Sequence, residues 1–138
     1  MDRFGDVTFA VDNHVATVTL DRPQARNALN DSVRAGLDTS LERIRAGAGD
    51  EIRAVVLTGA GGAFCAGGDL KSLSEARRPT TTNRTRIQDL HLWFRELVDL
   101  ELPVISAVDG PAFGAGFNLA LAADFVFASP RARFCAVF

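Results

Sequence analysis

Apolar residues alternate with polar or small ones near the start of the chain, and this pattern predicts a β-hairpin. The segments 7–11 and 16–20 each place an apolar residue at every second position. Because successive side chains of a strand point to opposite faces, each segment forms a strand with one buried face. The pair Asp12-Asn13 between them favours a tight turn. The expected buried face consists of Val7, Phe9, Val11, Ala16, Val18 and Leu20.

Two later segments carry apolar residues at helical spacing. The first comprises Val33, Leu37, Leu41 and Ile44, and the second comprises Ile87, Leu90, His91, Phe94, Leu97 and Val98. Side chains at this spacing share one face of a helix, and such a stripe faces the core. Asn30 is suited to cap the first helix and Gly47 and Gly49 to end it, whereas Pro103 ends the second. Residues 70–76 predict a short helix, and the polar segment 77–83 predicts a weakly ordered connection.

The middle of the chain contains a strand, a glycine-rich turn and a helix start, and the same order recurs later. The first unit begins with an apolar strand at 54–58 and reaches a helix start at 66–69. The second begins with a strand at 104–108, and its helix starts near 114–116. If the two strands are parallel neighbours, one backbone N–H from each turn can converge on a single oxygen, as in an oxyanion hole. Two further strands are predicted at 125–127 and 133–138.

The composition of the chain excludes several classes of protein. With 138 residues, 47% of them hydrophobic, and a net charge of -2, the chain can form one modest core and has no excess of basic residues for nucleic acid. It has no apolar run near the roughly 20 residues of a membrane span and no signal-peptide pattern, so we expect a cytoplasmic protein without a membrane partner. Cys65 and Cys135 lack CxxC spacing, which indicates two small, buried, reduced thiols and no metal site.

The glycines of the first turn do not match nucleotide-binding fingerprints. A dinucleotide-binding turn needs GxGxxG, but Gly59 and Gly61 are followed by Phe64 at the third position. The sequence GxxxxGK[ST] is absent as well. We therefore expect neither a nicotinamide cofactor nor ATP.

Three segments of the chain carry a family resemblance. They are residues 21–29 (DRPQARNAL), 64–70 (FCAGGDL) and 110–120 (GPAFGAGFNLA). In order and spacing they resemble the enoyl-CoA hydratase/isomerase (crotonase) superfamily. The resemblance implies an α/β fold of the crotonase-like ββα spiral type. It also implies an enzyme that acts on acyl-CoA thioesters of fatty or aromatic acid metabolism. It also implies that residues 1–138 are the N-terminal part of one such domain, without its C-terminal helical part, and that the full-length protein is a homotrimer or hexamer.

The resemblance also assigns roles to residues at the two turns. The N–H groups of Ala66 and Ala115 are implied to hold a thioester oxygen as it becomes an enolate. Arg22 and Arg26 fall in the loop that contacts CoA in the family, although solvated surface arginines explain them equally well. CoA is part of the substrate, so no separate cofactor is implied. The implied substrate- and CoA-binding set is Arg22, Arg26, Ala66, Gly67, Gly68, Asp69, Leu70, Gly114 and Asn118.

Two positions depart from the pattern of the family's hydratases. Asn118 and Phe138 stand where those enzymes have the two glutamates that add water. Neither an amide nor a phenyl ring exchanges protons usefully. By resemblance to relatives that lack these glutamates and use an acidic residue shortly beyond the position of residue 138, an isomerase-type reaction is preferred over enoyl-CoA hydration, and the general base is left unassigned. A non-catalytic acyl-CoA-binding module is a further alternative.

Other side chains that are candidates for chemistry are interpreted as structural. Asp69 is expected at a helix start, where backbone N–H groups favour a carboxylate, and Asp124 is expected at a turn. Cys65 has no histidine near it in sequence to activate a thiolate.

Overall fold

A six-stranded sheet forms the framework of the protein. The computed structural model describes residues 1–75 and 79–137. The strands of the large sheet lie side by side in the order β1 (Asp2–Phe4), β2 (Val7–Asp12), β3 (Val15–Leu20), β4 (Ala54–Gly59), β5 (Val104–Val108) and β7 (Phe125–Ala128). Between β5 and β7 in sequence, the short β6 (Pro111–Phe113) pairs with β8 (Arg133–Cys135) in a second sheet.

The predicted hairpin is confirmed. Strands β2 and β3 pair antiparallel, and the positive φ angles of Asn13 (47°) and His14 (66°) form the tight turn between them. Such angles suit the turns that follow the right-handed twist of paired strands. The pattern did not reveal β1, because Asp2 and Arg3 are polar and exposed. From β3 onward the neighbouring strands are parallel.

In the part of the chain that the structure describes, four α-helices connect the strands. They are α1 (Asp31–Gly47), α2 (Leu70–Glu75), α3 (Thr80–Val98) and α4 (Ala115–Leu121). As predicted, Asn30 caps α1, because its side chain accepts a hydrogen bond from the Val33 N–H. The last residue of the helix predicted at 70–76, Ala76, lies outside the described residues. None of the described helices is long and apolar enough to cross a membrane.

Helix α3 differs from the prediction in two ways. Residues 80–83 were expected to be weakly ordered, but α3 already begins at Thr80, after Pro79; proline is compatible with a helix start because the first N–H groups need no intrahelical acceptor. Residues 77 and 78 of the same predicted connection lie outside the described residues. The buried face is also rotated: Trp93 is 6% exposed, whereas Ile87 and Val98 of the predicted stripe are 55% and 60% exposed.

The end of the chain was also predicted only in part. Strand β8 ends at Cys135, and Phe138 lies outside the described residues. Strand β6 was missed because Pro111 looked like a turn residue, yet proline is tolerated at the first position of a strand. The central expectation is confirmed, since β4 and β5 are parallel neighbours with Val55 opposite Val104. Their carboxyl ends, and the turns that follow, therefore lie at the same edge of the sheet.

Candidate active site

The two glycine-containing turns contact each other through their backbones. Cys65 donates its N–H to the Pro111 carbonyl at 3.0 Å and accepts from the Phe113 N–H at 2.9 Å. Gly116, in the first turn of α4, packs so closely that a Cβ atom there would lie 2.1 Å from the Cys65 oxygen. Only glycine fits at this distance without a shift of the backbone. The start of α4 is thereby held against residue 65.

Gly67 brings the first turn to the start of α4. Its φ angle is +96°, a conformation that residues with a Cβ atom rarely adopt. A Cβ atom at Gly67 would lie 2.7 Å from the Phe113 oxygen and 3.6 Å from the Ala115 nitrogen. The backbone of residue 67 is therefore next to the first N–H of the helix.

Ala66, predicted as an oxyanion donor, does not offer its N–H to a ligand. This N–H donates to the Arg26 carbonyl oxygen at 2.9 Å. The assignment of Ala66 is therefore wrong for this structure, because its hydrogen already has an acceptor. Sequence spacing located the turn correctly but did not reveal which of its peptide groups face the loop before α1.

The next peptide group points the other way. The Gly67 carbonyl accepts from the Leu29 N–H at 2.8 Å, and the carbonyl and N–H of one trans peptide point in opposite directions. The Gly68 N–H therefore points away from Leu29, and among the described residues it has no backbone acceptor. Gly68 is exposed, so this donor is accessible.

Ala115 supplies a second donor of the same kind. It is the first residue of α4, where an N–H has no intrahelical acceptor. The Gly114 carbonyl accepts from the Asn118 N–H at 3.1 Å, so the Ala115 N–H in the same peptide points out of the helix start. The Gly68 and Ala115 N–H groups thus flank the contact that Gly67 makes with α4.

Arg22 and Asp69 form an ion pair beside the first turn. Arg22 Nη1 lies 2.5 Å from Asp69 Oδ2, and the two side chains are 17% and 7% exposed. Asp69 Oδ1 also accepts from the Lys71 N–H at 3.0 Å, which caps α2. Burial opposes ionisation of the carboxyl, but the hydrogen bonds from Arg22 and from the N–H groups of Ser72 and Lys71 outweigh it and lower the pKa of Asp69. Asp69 is thus a helix cap, as predicted.

Asn27 is a structural residue of the site that sequence reasoning did not single out. It is fully buried and has a φ of 57°, which asparagine tolerates better than most residues. Its Oδ1 accepts from the Arg22 N–H at 2.8 Å, and its Nδ2 donates to the carbonyls of Ala60 at 2.9 Å and Ala63 at 2.7 Å. The available signal was a polar residue with a tendency to positive φ, followed directly by the apolar Ala28 and Leu29.

The remaining predicted binding residues line the site less closely. The Arg26 side chain is exposed and makes no ion pair with the described residues. Leu70 is 77% exposed, and Asn118 is exposed on α4. Gly114 has a φ of 54° and donates its N–H to the Cys135 carbonyl at 2.9 Å. It therefore shapes the second turn, and its own N–H is occupied.

Two further side chains are structural, as predicted. Burial raises the pKa of the Cys65 thiol to about 11, so it stays protonated near neutral pH. Asp124 accepts a hydrogen bond from the Val104 N–H at 2.8 Å and so fixes the start of β5. Among the described residues, no group of three or more His, Cys, Asp and Glu side chains has an arrangement that could hold a metal ion.

Comparison with known proteins gives this geometry a family context. The sequence profile of the family described as enoyl-CoA hydratase/isomerase matches residues 10–138. The chain belongs to the enoyl-CoA hydratase/isomerase family. Over its whole length it is 43% identical to a probable enoyl-CoA hydratase, EchA14, from Mycobacterium tuberculosis, of which it covers 52%. It is 38% identical to the 1,2-epoxyphenylacetyl-CoA isomerase of Escherichia coli, with 93% of this chain and 49% of that protein aligned.

Solved structures confirm the fold of this family member. An enoyl-CoA hydratase/isomerase from Cupriavidus metallidurans superposes with a TM-score of 0.85 at 41% identity, over 97% of this chain and 49% of that one. The predicted crotonase-like α/β fold is therefore confirmed. The chain spans about half the length of the curated relatives it matches.

Proposed function

We propose that the protein acts on acyl-CoA thioesters and stabilises the enolate of the thioester with the N–H groups of Gly68 and Ala115. The supporting observation is that these two donors, one from each turn, lack backbone acceptors in the described part of the chain and flank a single backbone contact. Two donors held in place before the reaction stabilise a developing oxyanion without reorganising. Family membership supplies the substrate class of this proposal.

The proposed chemistry moves a proton and an electron pair. A base removes a proton from the acyl chain, and the C–H electron pair passes through the carbon framework to the thioester oxygen, which becomes negative. Return of a proton to a different carbon shifts the double bond. The proposal assigns neither transfer to Asp69, which is bound by Arg22 and caps α2, nor to Asn118, whose amide does not titrate.

Isomerisation is the preferred reaction within this proposal. Asn118, three residues after the Ala115 donor, cannot act as the acid or base that hydration requires. The relatives include both a hydratase and an isomerase by name, so addition of water is the second candidate. Binding of acyl-CoA without turnover is the third, because the fold alone does not fix the chemistry.

CoA recognition is assigned to the exposed Arg26 in this proposal. A guanidinium that is exposed and has no carboxylate partner among the described residues is available for a phosphate of CoA. Arg22 is turned toward Asp69 and is less suited to this role. No cofactor besides the CoA of the substrate is proposed, and a cytoplasmic homotrimer or hexamer remains our expectation for the full-length protein.

The test removes the Ala115 donor. Proline is tolerated at the first residue of a helix, so Ala115→Pro deletes the N–H while the helix is kept. In the full-length protein, double-bond migration in a 3-enoyl-CoA and hydration of crotonyl-CoA should fall about 10²–10³-fold. Ala115→Gly keeps the N–H and should retain at least about a tenth of the turnover. Equal turnover of wild type and Ala115→Pro would exclude this donor.

A further inference from the structure

The loop at residues 22–29, which precedes α1, contacts all four residues at 66–69, and Leu29 forms an isolated parallel bridge with Gly68. Its Arg26 carbonyl accepts from Ala66, its Leu29 N–H donates to Gly67, and its Arg22 side chain pairs with Asp69. Gly68, between these anchored residues, is the position whose N–H we propose as an oxyanion donor. The loop therefore holds the segment on both sides of this donor.

Only one of these three anchors depends on side chains. The contacts to residues 66 and 67 are backbone hydrogen bonds, which most residue types can make. The contact to Asp69 needs a guanidinium at Arg22, whose own backbone N–H is held by the Asn27 side chain at 2.8 Å. Arg22 Nη1 also donates to the Ala28 carbonyl at 3.3 Å. The backbone and the guanidinium of Arg22 are thus both held by the loop, in addition to the bond between the guanidinium and Asp69.

We propose that Arg22 is a positioning residue that, together with the Leu29 bond to the Gly67 carbonyl, holds the Gly68 N–H in its direction through the ion pair with Asp69. The inference rests on the proposed function of Gly68. Two consecutive glycines give this peptide little conformational preference of its own, so its orientation depends on the residues that flank it. Asp69 is bonded to Arg22 on one side and caps α2 on the other, which makes it the fixed end of the segment.

The structure favours this role for Arg22 over a contact with CoA. The Nη1 atom of Arg22 lies 2.5 Å from Asp69 Oδ2, so a phosphate would have to compete with a nearly buried carboxylate for the same nitrogen. Arg22 Nε is also 3.9 Å from Asp6 Oδ2. Two carboxylates thus surround the Arg22 guanidinium, whereas the Arg26 side chain is exposed.

The first test separates positioning from CoA binding by kinetics of the full-length protein. With Arg22→Met, we expect kcat to fall about 10²-fold, the size of loss that a misplacement of about 1 Å causes, while KM stays within about three-fold. The fold-decrease in kcat should be the same for a CoA thioester and for its 3′-dephospho-CoA analogue. A rise in KM for the CoA thioester that disappears with the dephospho analogue would overturn the proposal.

Three further variants keep this test informative. Arg43→Met removes the exposed ion pair between Arg43 Nη1 and Glu51 Oε2, which are 3.1 Å apart. Neither residue belongs to the loop at residues 22–29 or to the two turns, so kcat should be unchanged. Arg22→Lys retains a charge but not the forked geometry and should lose less than Arg22→Met. The double variant Arg22→Met/Asp69→Asn should be no worse than the more impaired single one, because both break the same pair. If the fold-decrease in kcat of the double variant equals the product of the two single decreases, Arg22 and Asp69 do not act through one ion pair.

A second measurement does not depend on turnover. Amide hydrogen exchange of residues 66–72 should become faster in Arg22→Met than in wild type and Arg43→Met, while exchange within β2 and β3 stays unchanged. If the wild type turns over no acyl-CoA, the proposed function fails, but the exchange result still shows whether Arg22 orders the segment. Unchanged exchange together with unchanged kcat would refute the positioning role.

Discussion

The two turns of the candidate site are held in different ways. The first is held by backbone bonds to the loop at residues 22–29 and, in addition, by side chains with little exposure, namely Asn27 and the pair of Arg22 with Asp69. The second is fixed by backbone bonds to the last described strand, since Gly114 donates to the Cys135 carbonyl and Arg133 donates to the Gly110 carbonyl at 3.0 Å. Strand β7, which pairs with β5 at the start of the second turn, carries Phe125 and Phe127, which are 59% and 67% exposed.

This difference separates the sensitivities of the two proposed donors. The Gly68 donor depends on particular side chains in the loop at residues 22–29, so single substitutions there should disturb it. The Ala115 donor depends on the start of a helix and on a close backbone contact, so it should respond mainly to steric change. Substitutions can therefore be chosen that strain one turn and leave the other intact.

The largest effect is expected at the contact between the turns. In Gly116→Ala, the new methyl group would lie 2.1 Å from the Cys65 carbonyl oxygen, and the backbone must shift to relieve the overlap. We expect a loss of about 3 kcal/mol or more in the free energy of unfolding, together with a large fall in turnover. Chemical denaturation of the full-length variant measures the first, and the enoyl-CoA assays measure the second.

Gly47→Ala is the matched control. Gly47 is also a helical glycine, but its new methyl group would meet the flexible end of the Ile52 side chain at 3.0 Å. Gly47 is the last residue of α1, so alanine there gains less than the roughly 1 kcal/mol of a helix interior, but the crowding to be offset is also slight. A similar loss of stability in both variants would show that the contact of Gly116 with Cys65 is not the cause.

The next largest effect is expected in the first turn. Asn27→Ala removes three hydrogen bonds and leaves the carbonyls of Ala60 and Ala63 without this donor, so we expect a loss of about 3 kcal/mol. Asn13→Ala provides the control, because Asn13 also has a positive φ but is exposed in the hairpin turn. It should cost about 1 kcal/mol or less. Equal unfolding midpoints of the two variants would mean that backbone conformation, not hydrogen bonding, explains Asn27.

The sequence pattern predicted the framework better than the details of the site. Alternation and helical spacing identified the hairpin and α1, because burial of one face dictates those patterns. Glycines identified both turns but did not show that the Ala66 N–H is bonded to Arg26, since peptide orientation is set by the loop across from it. The stripe of α3 was misjudged around Trp93, because its apolar residues surround much of the helix.

A smaller, pH-dependent effect should distinguish the two turns. The pKa of Asp69 is lowered, so its stabilising contribution is present above its unfolded pKa of about 3.9 and is lost as the pH falls through the folded value. Asp69→Asn should cost about 1–2 kcal/mol at pH 7 and less at pH 3. Urea denaturation at both pH values measures the difference.

Asp109 of the second turn provides the comparison for this effect. The Ser129 hydroxyl and the Arg131 guanidinium also lower its pKa, but its side chain is 34% exposed. Asp109→Asn should therefore destabilise the protein less than Asp69→Asn at pH 7, and added salt should reduce its effect more strongly. An equal or larger cost at Asp109 would contradict the view that the first turn alone relies on a shielded ion pair.

The least perturbing comparison uses the two cysteines, one in each region. Cys65 is buried as predicted and has a pKa of about 11, so at pH 8 only about 10⁻³ of it is thiolate. The prediction of a buried thiol is wrong for Cys135, which is exposed in β8. In the folded full-length protein, a maleimide should label Cys135 quickly and Cys65 only after denaturation, as mass spectrometry of the labelled peptides will show. Cys135→Ser should change the free energy of unfolding by less than about 0.5 kcal/mol and leave the slow labelling of Cys65 unaltered. Rapid labelling of Cys65 in the folded protein would mean that the contact between the turns opens readily, and the two donors would then not be held ready for a substrate.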